Sequence, residues 1–321
     1  MKKRIIELLP GVRTDIPLAP YTSFRIGGKA SYFFIATTTE AVQKAVLVTK
    51  KLRIPFFILG AGTNILVADQ GYPGLVILMN MRRCEIRKNR LYAKAGALMS
   101  ALVRKAGLEG LSGLEWAGGL PGTVGGAVRG NAGAFGGETK DTVVEVEALD
   151  ENGRIQKYSN KDCHFGYRSS LFKRISVNKK KNLIILSATF VLKRGNTKRI
   201  HEIARSHIRY RKERHPLEYP NAGSIFQNCD LKNIPLALKS KIQHVIKTDP
   251  FPVVPTAYLI AEAKLKGVRA GKAEISSKHP NYIVNKGKAR AKNVLTLIKK
   301  VKQKVKNKFS VELHEEIQYV H

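Results

Sequence analysis

Apolar positions along the chain follow two periods. In TEAVQKAVLVTKKLRI, Val42, Ala45, Val46 and Leu52 recur at helical spacing, and short β-rich runs flank them: SYFFIAT (Ser31 to Thr37) and PFFILG (Pro55 to Gly60). Residues three and four apart share one helix face, whereas a short unbroken apolar run suits a strand. The pattern predicts a βαβ-like opening. LVILM (Leu75 to Met79) and RLYAKAG (Arg90 to Gly96) read as further strands, and ALMSALVRKAG (Ala97 to Gly107) as a helix ended by glycine. VVEVEALDENGRIQKYS alternates apolar and polar residues on both sides of Asn152-Gly153, which signals a hairpin because this dipeptide accepts positive φ. LIILSATFVLK (Leu183 to Lys193) predicts one more strand.

Beyond Gly195, where a domain boundary is expected, Thr197 can cap a helix through Ile200, Ile203, Ala204 and Ile208 to Glu213, and Pro216 stops it. SIFQN, YIVN and FSVEL predict strands; TAYLIAEAKL after Pro255 and NVLTLIKKVKQKV after a cap at Asn293 predict helices. In the last helix Val294, Ile298, Val301 and Val305 lie on one face, so its lysines read as a solvated face. The second half is α+β, with no internal repeat and no low-complexity linker.

A length of 321 residues allows about two domains, each with its own core, and excludes a disordered tail protein. The charge balance is unusual: 57 Lys+Arg against 24 Asp+Glu give a formal net charge of +33, which invites polyanionic partners. No helix-turn-helix, zinc-finger or RNP-type pattern accompanies it, so the excess is read as solvated surface and no nucleic-acid partner is expected. Cys84, Cys163 and Cys229 form no CxxC pair, which suggests neither a disulfide framework nor a metal site and fits a reducing cytoplasm. The opening MKKRIIELLPGVRTDIP loses its apolar run at Pro10, too early for a signal peptide, and no run reaches the length of a membrane span. A cytoplasmic chain without a membrane partner is expected.

The candidate chemistry begins with glycine. GGLPGTVGGAVRGNAGAFGG, Gly118 to Gly137, holds 9 of the chain's 27 glycines. Glycine admits positive φ and removes Cβ, so successive amides can converge on an anion, and the stretch reads as a pyrophosphate cradle outside any helix or strand. A solvated linker would carry Ser, Lys or Asp in place of Ala, Val and Phe. A second cluster, GAGTN (Gly60 to Asn64), follows the strand PFFIL, where phosphate sites form in α/β sheets. It starts like GxGxxG but has Ile65 in the sixth position, and no GxxxxGK[ST] occurs. Both common nucleotide loops are thereby excluded. Two clusters about sixty residues apart suit a long cofactor held at two places, and FAD fits better than a mononucleotide.

The chain resembles the UDP-N-acetylenolpyruvoylglucosamine reductases of peptidoglycan synthesis. The resemblance runs through TSFRIGG (Thr22 to Gly28), GAGTNILV, GLPGTVGGAVRGNAGAFGG, GYRSSLF (Gly166 to Phe172), AGSIFQN (Ala222 to Asn228), KHPNYIVNKG (Lys278 to Gly287) and LHEEI (Leu313 to Ile317), in the expected order over nearly the whole chain. It implies an α+β protein: a two-subdomain FAD-binding region like that of vanillyl-alcohol oxidase, divided at 1–74 and 75–195, and a C-terminal substrate-binding domain at 196–321. It also implies an oxidoreductase of cell-wall biogenesis that turns UDP-N-acetylglucosamine enolpyruvate into UDP-N-acetylmuramate with NADPH, as a monomer. The reduced flavin would give hydride to the enolpyruvyl double bond. By motif match, Ser224 would protonate the adjacent carbon, Arg168 would face the substrate carboxylate, and Glu316 would be the acid of the C-terminal motif.

Cofactor contacts are expected from Gly60, Ala61, Gly62, Thr63 and Asn64, and from Gly119, Pro121, Gly122, Thr123, Gly125, Gly126, Asn131, Ala132 and Gly133; substrate contacts from Asn228 and Lys278. The residue types suit the chemistry. A guanidinium fork aimed at the carboxylate stabilises the charge that hydride addition creates. A held serine can protonate an enolate carbon, and a buried Glu316 with a raised pKa can donate a hydrogen bond. Gln227 and Cys229 stand where the family has Lys and Pro, and His314 and Glu315 occupy the middle of the C-terminal motif. The interval from Arg168 to Ser224 leaves no room for the inserted loop of the longer subtype. His164, His215, His279 and His314 are given structural or exposed roles. An FAD oxidase or dehydrogenase on another substrate, which would not need the Ser224 and Glu316 pair, is the nearest rival; a basic nucleic-acid-binding protein without catalysis is the other.

Overall fold

The computed structural model describes residues 2–177, 183–248 and 251–321. They form two compact units, one of residues 1–16, 30–61 and 73–210, the other of 17–29, 62–72 and 211–321. The mixture of helix and strand agrees with the α+β expectation, while the division along the chain is finer. The expected boundary at 74/75 falls inside the strand Tyr72–Met79, and the one at 195/196 falls just before the helix Thr197–Arg214, which continues past it.

The first unit carries two sheets. One has the order Arg13–Pro17, Lys29–Ala36, Tyr72–Met79, Phe56–Leu59, with its last two strands parallel. After a short helix, Lys2–Leu8, the expected helix forms over Thr39–Leu52; Thr38 Oγ1 accepts from the Ala41 amide at 3.1 Å, an N-cap. Its predicted face of Val42, Ala45, Val46 and Leu52 is buried, at roughly 2 kcal/mol for each of the larger side chains. The second sheet is antiparallel, in the order Ile155–Ser159, Val143–Leu149, Ile184–Val191, Arg90–Lys94, Cys84–Arg87. The Asn152-Gly153 hairpin forms, but around a longer loop: Asp150 Oδ1 accepts from the Asn152 and Arg154 amides, both at 2.8 Å, and Gly153 takes φ 78°. The edge strand Cys84–Arg87 has no counterpart in the apolar pattern, because CEIR carries two charges and is not fully buried.

The glycine stretch corrects one expectation. It contains a short helix, Val124–Gly130, where none was predicted. Thr123 caps it, and burial of Val124, Ala127 and Val128 outweighs the glycines' conformational cost. Glycine suits position 125 because a Cβ there would lie 3.1 Å from that of Ala95.

In the second unit, the sheet runs Asn221–Ser224, Tyr282–Asn285, Ala273–Ile275, Arg269–Ala270, and all of its pairs are antiparallel. The helix Ala291–Phe309 buries Val294, Ile298, Val301 and Val305 as expected. Its cap differs from the prediction. Asn293 is the third residue of the helix and caps from there, its Oδ1 accepting from the Arg290 amide at 2.9 Å, while the carboxylate of Asp69 accepts from the amides of Ala291 at 2.7 Å and Lys292 at 3.1 Å. FSVEL is not a strand: Phe309 ends the helix, Ser310 takes φ 56°, and Val311 and Leu313 enter the core from unpaired backbone. The terminal strand is Gln318–Val320, paired in parallel with Ile65–Val67. Likewise the first strand of this sheet starts before SIFQN, and Asn196, whose Oδ1 accepts from the Arg199 amide at 3.0 Å, caps the long helix in place of Thr197. Among the described residues no helix is long and apolar enough to cross a membrane.

Candidate active site

In the first unit the two glycine clusters meet: a Cβ on Gly60 would stand 2.6 Å from Oγ1 of Thr123. Gly119 and Gly122 hold φ of 70° and 121°, so the chain turns there as only glycine does readily. Gly130 has open space where a Cβ would be. No acidic residue interrupts Gly118 to Gly137, and Arg129 is its one charge. A lining of bare backbone free of carboxylates fits a pyrophosphate arm.

Further along, Asn131 is buried in the left-handed conformation. Its Nδ2 donates to Glu138 Oε2 at 3.2 Å and to the Gly166 carbonyl at 3.0 Å, and its Oδ1 accepts from the Lys140 amide at 3.0 Å. The side chain thus ties the cradle to the Arg168 turn. Ala132 anchors the same loop by accepting from the hydroxyl and amide of Thr139 at 2.9 and 2.8 Å. Gly166 and Ser169 exchange backbone hydrogen bonds at 3.0 and 3.1 Å, which leaves Arg168 on the tip at φ 49°. Its guanidinium donates to the Gly133 carbonyl at 2.8 Å, lies 4.0 Å from buried Glu138 and packs over the Tyr167 ring. The structure therefore brings Arg168 against Gly133, two expected site residues.

The second unit holds Ser224 and Glu316. Ser224 ends its strand directly opposite Tyr282. The segment after it is fixed on both sides: Ile225 N donates to the Asn281 carbonyl at 2.8 Å, and the Asn281 side chain bonds both the amide and the carbonyl of Phe226. On the other edge, the Glu316 amide donates to the Ile225 carbonyl at 2.8 Å and the Gln227 amide to that of His314 at 2.9 Å. Asn64 Nδ2 donates to the Glu316 carbonyl at 3.1 Å. Segments far apart in sequence thus set Ser224 and Glu316 side by side, and Glu316 is half-buried. Gly62, at φ 63°, packs where a Cβ would strike the Tyr21 carbonyl. His314 and Glu315 leave this pairing intact, because backbone groups make it.

Sequence reasoning missed a cluster beside Ser224. Tyr282 stands opposite Ser224 on the neighbouring strand, and its hydroxyl lies 3.1 Å from Nδ1 of His215. The rings of His215, His279 and Tyr282 pack on one another with centroids 4.8 to 5.3 Å apart. Burial pushes Tyr282 up to about 12, and the Glu316 carboxylate adds to the rise. Burial, then His279, Arg211 and Lys278, pulls His215 down to about 4; burial pulls His279 down to about 4. Both imidazoles are neutral near pH 7. The available signal was the register that sets YIVN against the serine motif.

Asn228 and Lys278 are engaged within the unit. Asn228 Oδ1 accepts from the Thr256 amide at 3.3 Å and so starts the helix Thr256–Glu262. Lys278 Nζ donates to the Lys212 carbonyl at 2.9 Å and lies 3.6 Å from Glu218. Cys229 is buried against Thr256, and burial raises its thiol.

Comparison with known proteins gives the class first. An FAD binding domain matches residues 30–159, which span both glycine clusters, so the chain carries a flavin-binding fold. The C-terminal domain of UDP-N-acetylenolpyruvoylglucosamine reductase matches residues 215–320, which span Ser224, Tyr282 and Glu316. The reductase of Clostridium novyi (strain NT) is 37% identical over 96% of this chain and 92% of its own length; that of Fervidobacterium nodosum is 38% identical over 98% and 95%. The crystal structure of the Thermus caldophilus reductase superposes with a TM-score of 0.76 at 31% identity, over 97% of this chain and all of that one. The chain belongs to the UDP-N-acetylenolpyruvoylglucosamine reductase family, as the motifs implied.

Proposed function

We propose that this chain reduces UDP-N-acetylglucosamine enolpyruvate to UDP-N-acetylmuramate with FAD and NADPH, as a cytoplasmic monomer in peptidoglycan precursor synthesis, and that Ser224, Arg168 and Glu316 carry its acid–base and electrostatic work. The observation that supports it most is the joining of the serine motif to the C-terminal motif through Glu316 N and Ile225 O at 2.8 Å. Residues of the glycine stretch and of GAGTN hold the cofactor. Bound FAD, reduced by NADPH, supplies the two electrons that saturate the double bond.

The protein residues handle the charge and the proton. Arg168, rigid at its turn tip, pairs with the pyruvyl carboxylate, into which negative charge spreads as the bond is reduced. Ser224 gives its hydroxyl proton to the carbon next to that carboxylate, and holding it in place supplies what its weak acidity lacks. Glu316 in its protonated form donates a hydrogen bond to the carboxylate. Asn228 and Lys278 orient the sugar nucleotide.

Purified protein is expected to show a flavin spectrum and to oxidise NADPH only when the enolpyruvyl substrate is added. Absence of both sinks this reading. Turnover at the wild-type rate in Glu316→Gln removes that residue from the chemistry, and sedimentation equilibrium reads the monomer.

A further inference from the structure

A serine is a feeble acid because its alkoxide is a strong base, so proton transfer from Ser224 needs something to take up the charge left on its oxygen. Ser224 and Tyr282 occupy directly opposed positions of adjacent antiparallel strands, and such residues project to the same face of the sheet. The Tyr282 hydroxyl meets Nδ1 of His215 at 3.1 Å. Tyr282 is buried, and His215 comes from the end of the helix Thr197–Arg214.

The geometry points to Tyr282 as a positioning residue that backs the proton donor, in a chain running from His215 through Tyr282 to Ser224. This inference rests on Ser224 being the acid proposed above. His215 donates from Nδ1–H to the Tyr282 oxygen, and the tyrosine hydroxyl is thereby turned to donate to Ser224 Oγ. The serine proton is left free for the substrate. In the transfer, the Ser224 O–H bond breaks as the new C–H bond forms, with the carbon supplying the electron pair. The Tyr282 proton passes to Ser224 Oγ, and the negative charge comes to rest on the phenol oxygen, a far weaker base than an alkoxide. A proton from water restores the phenol and closes the balance.

The groups facing this chain suit the assignment. Arg211, in the last turn of the helix that His215 follows, favours negative charge on the Tyr282 oxygen. Burial, helped by His279, Arg211 and Lys278, keeps His215 neutral, the state with a single N–H to place. His279 packs on both rings and fixes their planes.

Two measurements test the chain. In stopped-flow experiments on the holoenzyme, Tyr282→Phe is expected to slow reoxidation of the reduced flavin by the enolpyruvyl substrate by about 10- to 100-fold. Flavin reduction by NADPH and the KM for the substrate should stay within about twofold of wild type. An unchanged reoxidation rate overturns the inference. If Tyr282→Phe does not retain flavin, His215→Gln carries the same test: a several-fold slower reoxidation supports the chain and an unchanged rate overturns it. Nitrogen-15 imidazole spectra of the resting protein give a readout that needs no turnover. His215 is expected as the Nδ1–H tautomer, and an unprotonated Nδ1 overturns the inference even in a protein that fails to act on this substrate.

Discussion

The glycine cradle and the Ser224 region use opposite means. The cradle is nearly contiguous, twenty residues whose chemistry is backbone, shaped by the absence of side chains. The Ser224 region is assembled from the end of the long helix, two strands and the C-terminal segment, and its chemistry is side chain on side chain in a buried cluster. A contiguous anion cradle tolerates change in what surrounds it. An assembled acid depends on register, since a slip of one residue would turn Ser224 away from Tyr282.

Four changes probe that contrast. The largest effect is expected from Ser224→Ala, a fall in kcat of roughly a thousandfold with flavin content and NADPH-driven flavin reduction kept. Half-reaction rates check it, and loss of both together would mean that the assembled region serves the cradle as well. Next, Gly133→Ala puts a Cβ 2.6 Å from Cγ of Glu138 and 2.8 Å from the Gly137 carbonyl, and displaces the carbonyl that holds Arg168. Overpacking of this kind destabilises by about 1–3 kcal/mol. A lower melting temperature with a raised KM for the enolpyruvyl substrate is the expected result, read by calorimetry and steady-state kinetics.

Asp69→Ala removes the Asp69 part of the cap on the helix Ala291–Phe309 and is expected to cost about 1 kcal/mol, visible as a modest drop in Tm with the flavin spectrum unchanged. The smallest effect concerns pH. His215 and His279 titrate at about 4 when folded, below the ordinary 6.5, so the unfolded chain binds more protons between those values. Their contribution is present in full above pH 6.5 and fades as pH falls toward 4. Tm measured across this window should decline with acid, and less steeply in His215→Gln.

Legibility followed the same divide. The glycine clusters, the helix Thr39–Leu52 and the apolar face of the last helix were readable because each depends on neighbours a few residues away. FSVEL misled because Val311 and Leu313 alternate like a strand while pairing beyond the helix begins only at His314, with Gln227. The cap on Ala291 comes from Asp69, far upstream, and no local pattern can announce it. The helix Val124–Gly130 escaped notice because its glycines lower propensity, yet tertiary burial of Val124 and Val128 decides the outcome. Ser224 and Glu316 were placed by motif; Tyr282 and His215 needed the register. The domain boundaries drawn along the chain missed that residues 17–29 and 62–72 belong with the C-terminal part.

That interleaving bears on how the protein is made. The strand Ile65–Val67 pairs with Gln318–Val320, so during synthesis it waits, apolar and without that partner, while about 250 further residues are made. Residues 211–321 expressed alone lack that strand, the Asp69 cap and the Phe24 carbonyl that accepts from Asn285. Such a fragment is expected to be rapidly degraded by protease, and a premature stop before Gln318 yields a chain whose exposed strand edge invites aggregation.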